Sequence, residues 1–521
     1  VQRRDFLSQT LLALTAAGLG LGGRSAPKRL RNVVLLIGDD HSARVLGCYG
    51  NPLIRTPHLD RLAREGTRFT RAFAQSPICS ASRQSFLTGN YPHQTGVNLL
   101  FTSFPDANVT VAEHLKGHGY RTAAIGKMHF NNNQPHGFDL RMDGAEHTRW
   151  LKQKGGPQPL PEGVPLRDMS TTKGMQPGIW LNPGVRPEPL LDEDSLDTWL
   201  ARRAGEFIAA NRENPFLLFV GFHAPHAPMN FPVEFAGKYR PEQMPLGRNS
   251  PDDERWIPKI FRDFSPEQKR EIVAGYYTCV EYLDKNVGLV LDSLESNGLE
   301  NDTLVVYVSD HGYLLDDHRR FEKHTMWEPA VHTPLLVRAP GLGKPGRVSS
   351  ELIELVDLVP TFTEATSQPP LKSQGRSLLP LLRNPNASHR DAIFSEYLID
   401  RLAMLRTDDW KYVFTSGEFD LGVGYETGHA PFGVTHRLFD LRNDPDELRN
   451  LAADPRHADR LRTMQGQLIG IFRKTHPDAA NLPAGLTAEQ TLAWFCEPRD
   501  EVADLEKRLF PDPKRYEKKN F

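Results

Sequence analysis

The sequence predicts an α/β fold, a large mixed and mostly parallel sheet flanked by helices, followed by a smaller C-terminal α+β domain. Three observations predict it: apolar runs of strand length that end abruptly in polar residues, helical patterns between those runs, and a change of texture near Pro385. Unbroken apolar runs mark strands buried on both faces, and strands alternating with helices mark a largely parallel sheet.

In chain order, the strand candidates are Asn32 to Asp40, Arg121 to Lys127, Pro215 to His223 and Thr303 to His311. Helical patterns run from Thr56 to Glu65, Thr110 to His118, Asp194 to Asn211 and Gln268 to Ser296. Beyond the Asn384-Pro385-Asn386 turn, segments such as Ala403 to Arg406 and Trp410 to Phe414 shorten and read as an antiparallel sheet with a helix. The expected division is therefore 28–384 for the main α/β domain and 385–521 for the smaller one. In parallel sheets ligands bind beyond the carboxyl ends of the strands. If these strands are neighbours, Asp39, Asp40, Lys127, Asp310 and His311 converge on one edge.

The chain has 521 residues, 39% hydrophobic and 25% charged, which is an ordinary globular balance with length for a large core. Lys+Arg 63 against Asp+Glu 65 gives a net charge of −2, so no nucleic acid or anionic membrane is expected as a general partner and any anion site must be local. Four cysteines (Cys48, Cys79, Cys279, Cys496) make no disulfide framework. The first 27 residues read as an export signal, with Arg3-Arg4-Asp5-Phe6-Leu7 before a weakly apolar Thr10 to Gly22. That stretch is shorter than the roughly 18 apolar residues of a membrane span, and no other segment reaches that length. The pattern looks like a twin-arginine signal, which predicts use of the twin-arginine translocase, a periplasmic or extracellular protein and no membrane span in the mature chain.

The window Cys79-Ser80-Ala81-Ser82-Arg83, running on to Leu87-Thr88-Gly89, carries the most chemistry. A cysteine at the mouth of a helix with an arginine four residues later puts sulfur and guanidinium on one face, one turn apart. Free N–H groups and the dipole of a helix N-terminus favour a tetrahedral oxyanion there. Taken alone, the cysteine reads equally as a small core hydrophobe. Asp39-Asp40 with Asp310 offers the hard oxygen ligands of a divalent cation, although Asp39-Asp40 by itself also fits a helix cap.

The window resembles the type I sulfatase signature C-x-[PA]-x-R followed by L-T-G. The resemblance extends through Thr56-Pro57-His58-Leu59-Asp60, Gly126-Lys127-Met128-His129, Ala224-Pro225-His226-Ala227-Pro228, Asp310-His311-Gly312, Lys323, and Leu438-Phe439-Asp440-Leu441 with Asp444-Pro445. It implies an alkaline-phosphatase-like fold and a sulfate-ester hydrolase whose cysteine is oxidised, before folding, to Cα-formylglycine by a formylglycine-generating enzyme. Carried over, it makes Asp39, Asp40, Asp310, His311 and the modified residue 79 the metal ligands. Arg83 braces the geminal diol, Lys127 and Lys323 hold sulfate oxygens, and His129 and His226 move protons. In the implied reaction one diol hydroxyl attacks sulfur, the leaving alcohol takes a proton from His226, and His129 deprotonates the second hydroxyl so that sulfate is expelled.

Many sulfatases carry Asn where His311 stands. Asp-His-Gly with the double Asp is similar to the iduronate-2-sulfatase-like branch. Calcium is the expected ion, since the other ligands are oxygen, and a nitrogen ligand would also suit manganese. The segment from Asn450 to Pro477 is similar to the end of N-sulfoglucosamine sulfohydrolase, and a sulfated saccharide is the expected substrate. Two rivals stand beside this reading. A phosphonate monoesterase or phosphodiesterase of the same superfamily usually shows Asp followed by Gln, against the Asp39-Asp40 here. A pseudoenzyme that only binds sulfated glycans needs no such set of proton-transfer groups. Among other histidines, His114 and His118 read as surface positions. His223 reads either as lining the pocket or as a structural hydrogen-bonding group, and His136 and His332 are similarly open.

Overall fold

In the computed structural model, the described residues are 29–167, 181–417, 427–430 and 433–500. The expected export signal falls outside them. Fifteen strands are described: β1 Asn32–Asp39, β2 Thr67–Phe73, β3 Arg121–Gly126, β4 Leu140–Met142, β5 Phe216–Pro225, β6 Thr303–Ser309, β7 Leu314–Leu315, β8 Phe321–Glu322, β9 His332–Arg338, β10 Arg347–Ser349, β11 Ile353–Glu354, β12 Ala392–Tyr397, β13 Leu402–Thr407, β14 Trp410–Thr415 and β15 Thr435–Asp440.

Nine of them form the main sheet, in the order β10-β2-β9-β6-β1-β5-β3-β4 with β11 also on β2. Pairings are parallel except those of β9, which runs antiparallel to both β6 and β2. The predicted mixed, mostly parallel sheet is what forms. A separate antiparallel sheet, β12-β13-β14-β15, packs with the helices Ala458–Thr475 and Ala488–Phe495 through Phe394, Leu405, Phe414, Leu468 and Phe472.

The unbroken apolar run of β1 follows from cover on both faces. Val34 and Leu36 pack into the layer holding the helices Pro57–Glu65, Leu196–Ala210 and Pro266–Ser296. Val33, Leu35 and Ile37 pack into the opposite layer with the helices Cys79–Thr88, Val111–Gly117 and Leu358–Ala365. Register keeps the strand ends level: Ile37 pairs with Val308 and Gly221, and Gly126 pairs with Gly221. The next residues on four strands, Asp39, Asp310, His223 and Lys127, therefore leave the sheet along one edge. No helix among the described residues is long and apolar enough to cross a membrane.

Candidate active site

Asp39 ends β1, and Asp40 turns away from it with φ +66°, a left-handed conformation that a non-glycine residue adopts only when its surroundings hold it. The surroundings do so. The Asp40 N–H donates to Asp310 Oδ1 at 3.1 Å, the Tyr276 hydroxyl donates to the Asp40 carbonyl at 2.5 Å, and the His41 N–H donates to Ser309 Oγ at 2.7 Å. Asp310 follows β6 and Lys127 follows β3, as the strand pattern predicts.

Cys79 opens the helix Cys79–Thr88, with no side chain capping its free N–H groups. Its sulfur lies 3.5 Å from Asp39 Oδ1, 4.0 Å from Asp40 Oδ1, 3.3 Å from His311 Nε2, 3.5 Å from Lys127 Nζ and 3.4 Å from Lys323 Nζ. Arg83, one turn on, reaches Asp310 Oδ2 from Nε at 2.9 Å and Asp39 Oδ1 from Nη2 at 3.4 Å, and donates to the Lys127 carbonyl. Lys127 pairs with Asp39, and Lys323 sits 2.5 Å from Asp40 Oδ1. His226 Nε2 lies 3.8 Å from Asp40 Oδ2. His129, two residues after Lys127, lines the same cavity as Asp39, Lys127 and His226. Every site residue expected from the sequence is thus drawn into one cluster.

The electrostatics follow from that crowding. Burial works against a thiolate at Cys79, but Lys127 and Lys323, with His311, hold it well below the usual thiol range. Burial likewise opposes ionisation of Asp39, and Lys127 overcomes it, with help from His226 and Arg83. His311 loses to burial and gains from Asp310, reaching about 9. Its Nδ1 donates to the Gly312 carbonyl at 2.9 Å, which fixes the ring and turns Nε2 toward Cys79. The two remaining histidines are driven apart: burial lowers His129, whereas His226, opposed by burial, is raised by Asp40.

Two overlapping sets, Asp39-Asp40-Cys79-His226 and Asp39-Cys79-Asp310-His311, have ligand atoms all within 4.8 Å of one another. Each set, two carboxylates with an imidazole and position 79, fits a divalent cation. A cavity of about 1050 Å³ reaches the cluster through Asp39, Lys127, His129 and His226, and extends past Asn133, Arg141, Glu188, Asp197 and His223.

Four other histidines are structural: His114, His118 and His332 bond the carbonyls of Pro369, His114 and Thr70, and His136 bonds the Asn132 side chain. His147 is likewise structural, buried on the Asp194 carbonyl. Sequence reasoning missed Tyr276, which holds Asp40, and Asp197, whose carboxylate accepts from the N–H groups of His223 and Ala224. In the sequence, Asp197 signals only an acidic first turn of a helix.

The Sulfatase family model matches residues 31–368, and the model described as N-sulphoglucosamine sulphohydrolase, C-terminal, matches residues 316–474. The steryl-sulfatase of Mus musculus is 30% identical over 557 residues, covering 86% of this chain and 83% of that protein. The phosphonate monoester hydrolase of Agrobacterium radiobacter superposes with TM-score 0.72 at 22% identity, covering 87% of this chain and 97% of that one. A structure solved in complex with its substrate D-glucosamine-2-N,6-O-disulfate superposes with TM-score 0.69 at 21% identity, covering 87% and 99%. These two likenesses show the fold. With the family model matching well over half of its residues, from before β1 to beyond β11, the chain belongs to the sulfatase family, the sulfuric-ester hydrolases.

Proposed function

We propose that the chain hydrolyses a sulfate ester of a sulfated saccharide, with residue 79 as nucleophile after oxidation of its cysteine to Cα-formylglycine by a formylglycine-generating enzyme. One observation carries this reading: the side chain at position 79 is ringed within 3.5 Å by Asp39, His311, Lys127 and Lys323 at a helix N-terminus, beside a cavity large enough for a sugar. Formylglycine, hydrated, supplies an oxygen nucleophile where the thiol stands. The positive field that depresses the Cys79 thiol would favour an oxyanion at the same position. Asp39, Asp40, Asp310, His311 and residue 79 would hold calcium, with manganese the rival, and the ion would offset charge on the sulfate oxygens.

Lys127 and Lys323 stand where they can contact both a sulfate oxygen and the group at position 79. Arg83, inaccessible behind them, fixes Asp310 and Asp39. His226 and His129 both line the cavity; His226 gives its proton to the leaving alcohol, and His129 takes one. The match to the N-sulphoglucosamine sulphohydrolase C-terminal model and the fold shared with a protein that binds a disulfated glucosamine support a sugar substrate. Arg3-Arg4 and the following apolar stretch support export by the twin-arginine translocase to the periplasm or beyond.

Peptide mass spectrometry of the fragment carrying position 79, from protein made with its maturation enzyme, tests the nucleophile. Loss of sulfur and gain of an aldehyde or its hydrate is expected, and an unmodified thiol in active protein would sink the reading. Turnover of an aryl sulfate well above that of an aryl phosphodiester is expected of the same protein, and the reverse order would favour phosphoester chemistry.

A further inference from the structure

The cavity wall next to His226 carries a second imidazole for which the chemistry above has no use. His223 lies on β5, three residues before His226, and its side chain is 41% exposed on the wall of the cavity. Its backbone does not wander: the Asp197 carboxylate accepts from the His223 N–H at 2.9 Å and from the Ala224 N–H at 2.8 Å. Asp197 itself is only 3% exposed, in the first turn of the helix Leu196–Ala210. The same carboxylate lies 3.5 Å from His223 Nδ1, a buried nitrogen with no hydrogen-bond partner. That contact turns one edge of the ring toward Asp197. Among the described residues Nε2 makes no hydrogen bond.

We propose that His223, oriented by Asp197, is a specificity-determining residue that hydrogen-bonds a hydroxyl of the leaving group beside the sulfated position. The proposal rests on the saccharide reading above and adds to it a preference for polyhydroxylated over plain aromatic leaving groups. A carboxylate beside Nδ1 fixes the ring orientation and favours the proton on that nitrogen, which leaves Nε2 to accept from a sugar hydroxyl. His223 sits on β5 and His226 directly follows the end of that strand, so the group protonating the ester oxygen and the group reading its neighbour keep a fixed spacing. Asp197 is a positioning residue, acting through His223 and the loop.

The test compares kcat/KM for a panel of monosulfated sugars with kcat/KM for nitrophenyl sulfate, whose leaving group has no second hydroxyl. His223→Ala is expected to lower the value for its best sugar sulfate at least about tenfold more than the value for the aryl sulfate, chiefly through KM. His223→Gln, which keeps a hydrogen-bonding tip, should recover part of that discrimination. Asp197→Asn, which leaves an acceptor for the loop but removes the charge beside Nδ1, should move the ratio the same way. Parallel losses on both substrates in His223→Ala, with unfolding midpoint unchanged, would overturn the proposal and leave the saccharide reading standing. Wild-type protein that cleaves the aryl sulfate but no sugar sulfate would overturn the saccharide reading and this proposal together.

Discussion

Gly126 and Gly221 face each other across β3 and β5 at a distance that admits no side chain on either. A Cβ on Gly126, which has φ +97°, would come within 2.1 Å of the Gly221 carbonyl oxygen, and a Cβ on Gly221 within 2.2 Å of the Lys127 carbonyl oxygen. The pair lets β3 end against β5 so that Lys127 reaches Asp39. Gly221→Ala must push the strands apart at backbone atoms, with a cost of about 1–3 kcal/mol or more. It should also displace Lys127, and a misplacement of about 1 Å at a reacting group can cost roughly a hundredfold in rate. Thermal unfolding and kcat/KM on an aryl sulfate check both effects. Activity retained in a folded variant would show that Lys127 does not depend on this contact.

Lys323→Met removes the ammonium from Asp40 and from position 79. Losing one donor aimed at developing charge is expected to lower kcat by about a hundred- to a thousandfold. Breaking a buried pair should also cost about 3–5 kcal/mol of stability unless a bound cation takes up the carboxylate. Steady-state kinetics with unfolding curves, with and without added calcium, separate the two consequences.

Chelation should act on both stability and rate. Asp39 clusters with Asp40 in one candidate ligand set and with Asp310 in the other, and a bound cation would relieve carboxylate repulsion in the folded state alone. Dialysis against a chelator is expected to lower the unfolding midpoint and activity together, and calcium should restore both. Elemental analysis of the untreated protein should find close to one equivalent of calcium, and restoration by manganese alone would reassign the ion.

A pH effect is expected at a carboxyl outside the candidate ligand sets. Asp284 accepts the N–H groups of His58 and Leu59 at the start of the helix Pro57–Glu65, yet burial outweighs those bonds and raises its carboxyl from 3.8 to about 7. The folded state therefore holds the proton more tightly than the unfolded one. This contribution to stability is fully present below pH 3.8 and is lost as the pH rises through about 7. Asp284→Asn, which never ionises, should gain unfolding midpoint relative to wild type between pH 5 and pH 8.5, by an amount equivalent to at most about 3 kcal/mol. A difference independent of pH would show that the carboxyl titrates normally.

Where a strand is apolar on both faces, as in Val33 to Ile37 or Leu304 to Val308, the sequence alone identified it and the polar residue at its end. β2, Thr-Arg-Phe-Thr-Arg-Ala-Phe, and β9, with a proline near its start, carry no such run and went unread. Insertion of β9 antiparallel between β6 and β2 depends on pairing between segments far apart in the chain, which no local pattern encodes. The active cluster was legible because its members sit at strand ends or in a dense motif. Tyr276 and Asp197 were not, since a tyrosine or aspartate inside a helical pattern looks the same whether it faces solvent or braces a loop.

All ten residues of the helix Cys79–Thr88 are buried. No catalyst large enough to oxidise residue 79 can approach it once this helix is packed. Under the proposed conversion of residue 79, the fraction of competent molecules would be settled by a race at synthesis between maturation and folding, and a molecule that folded with its thiol intact would be lost unless it unfolded. Slow closure of the sheet over that segment would be an asset for this chain, and accelerating its folding would yield more protein with less activity in each milligram.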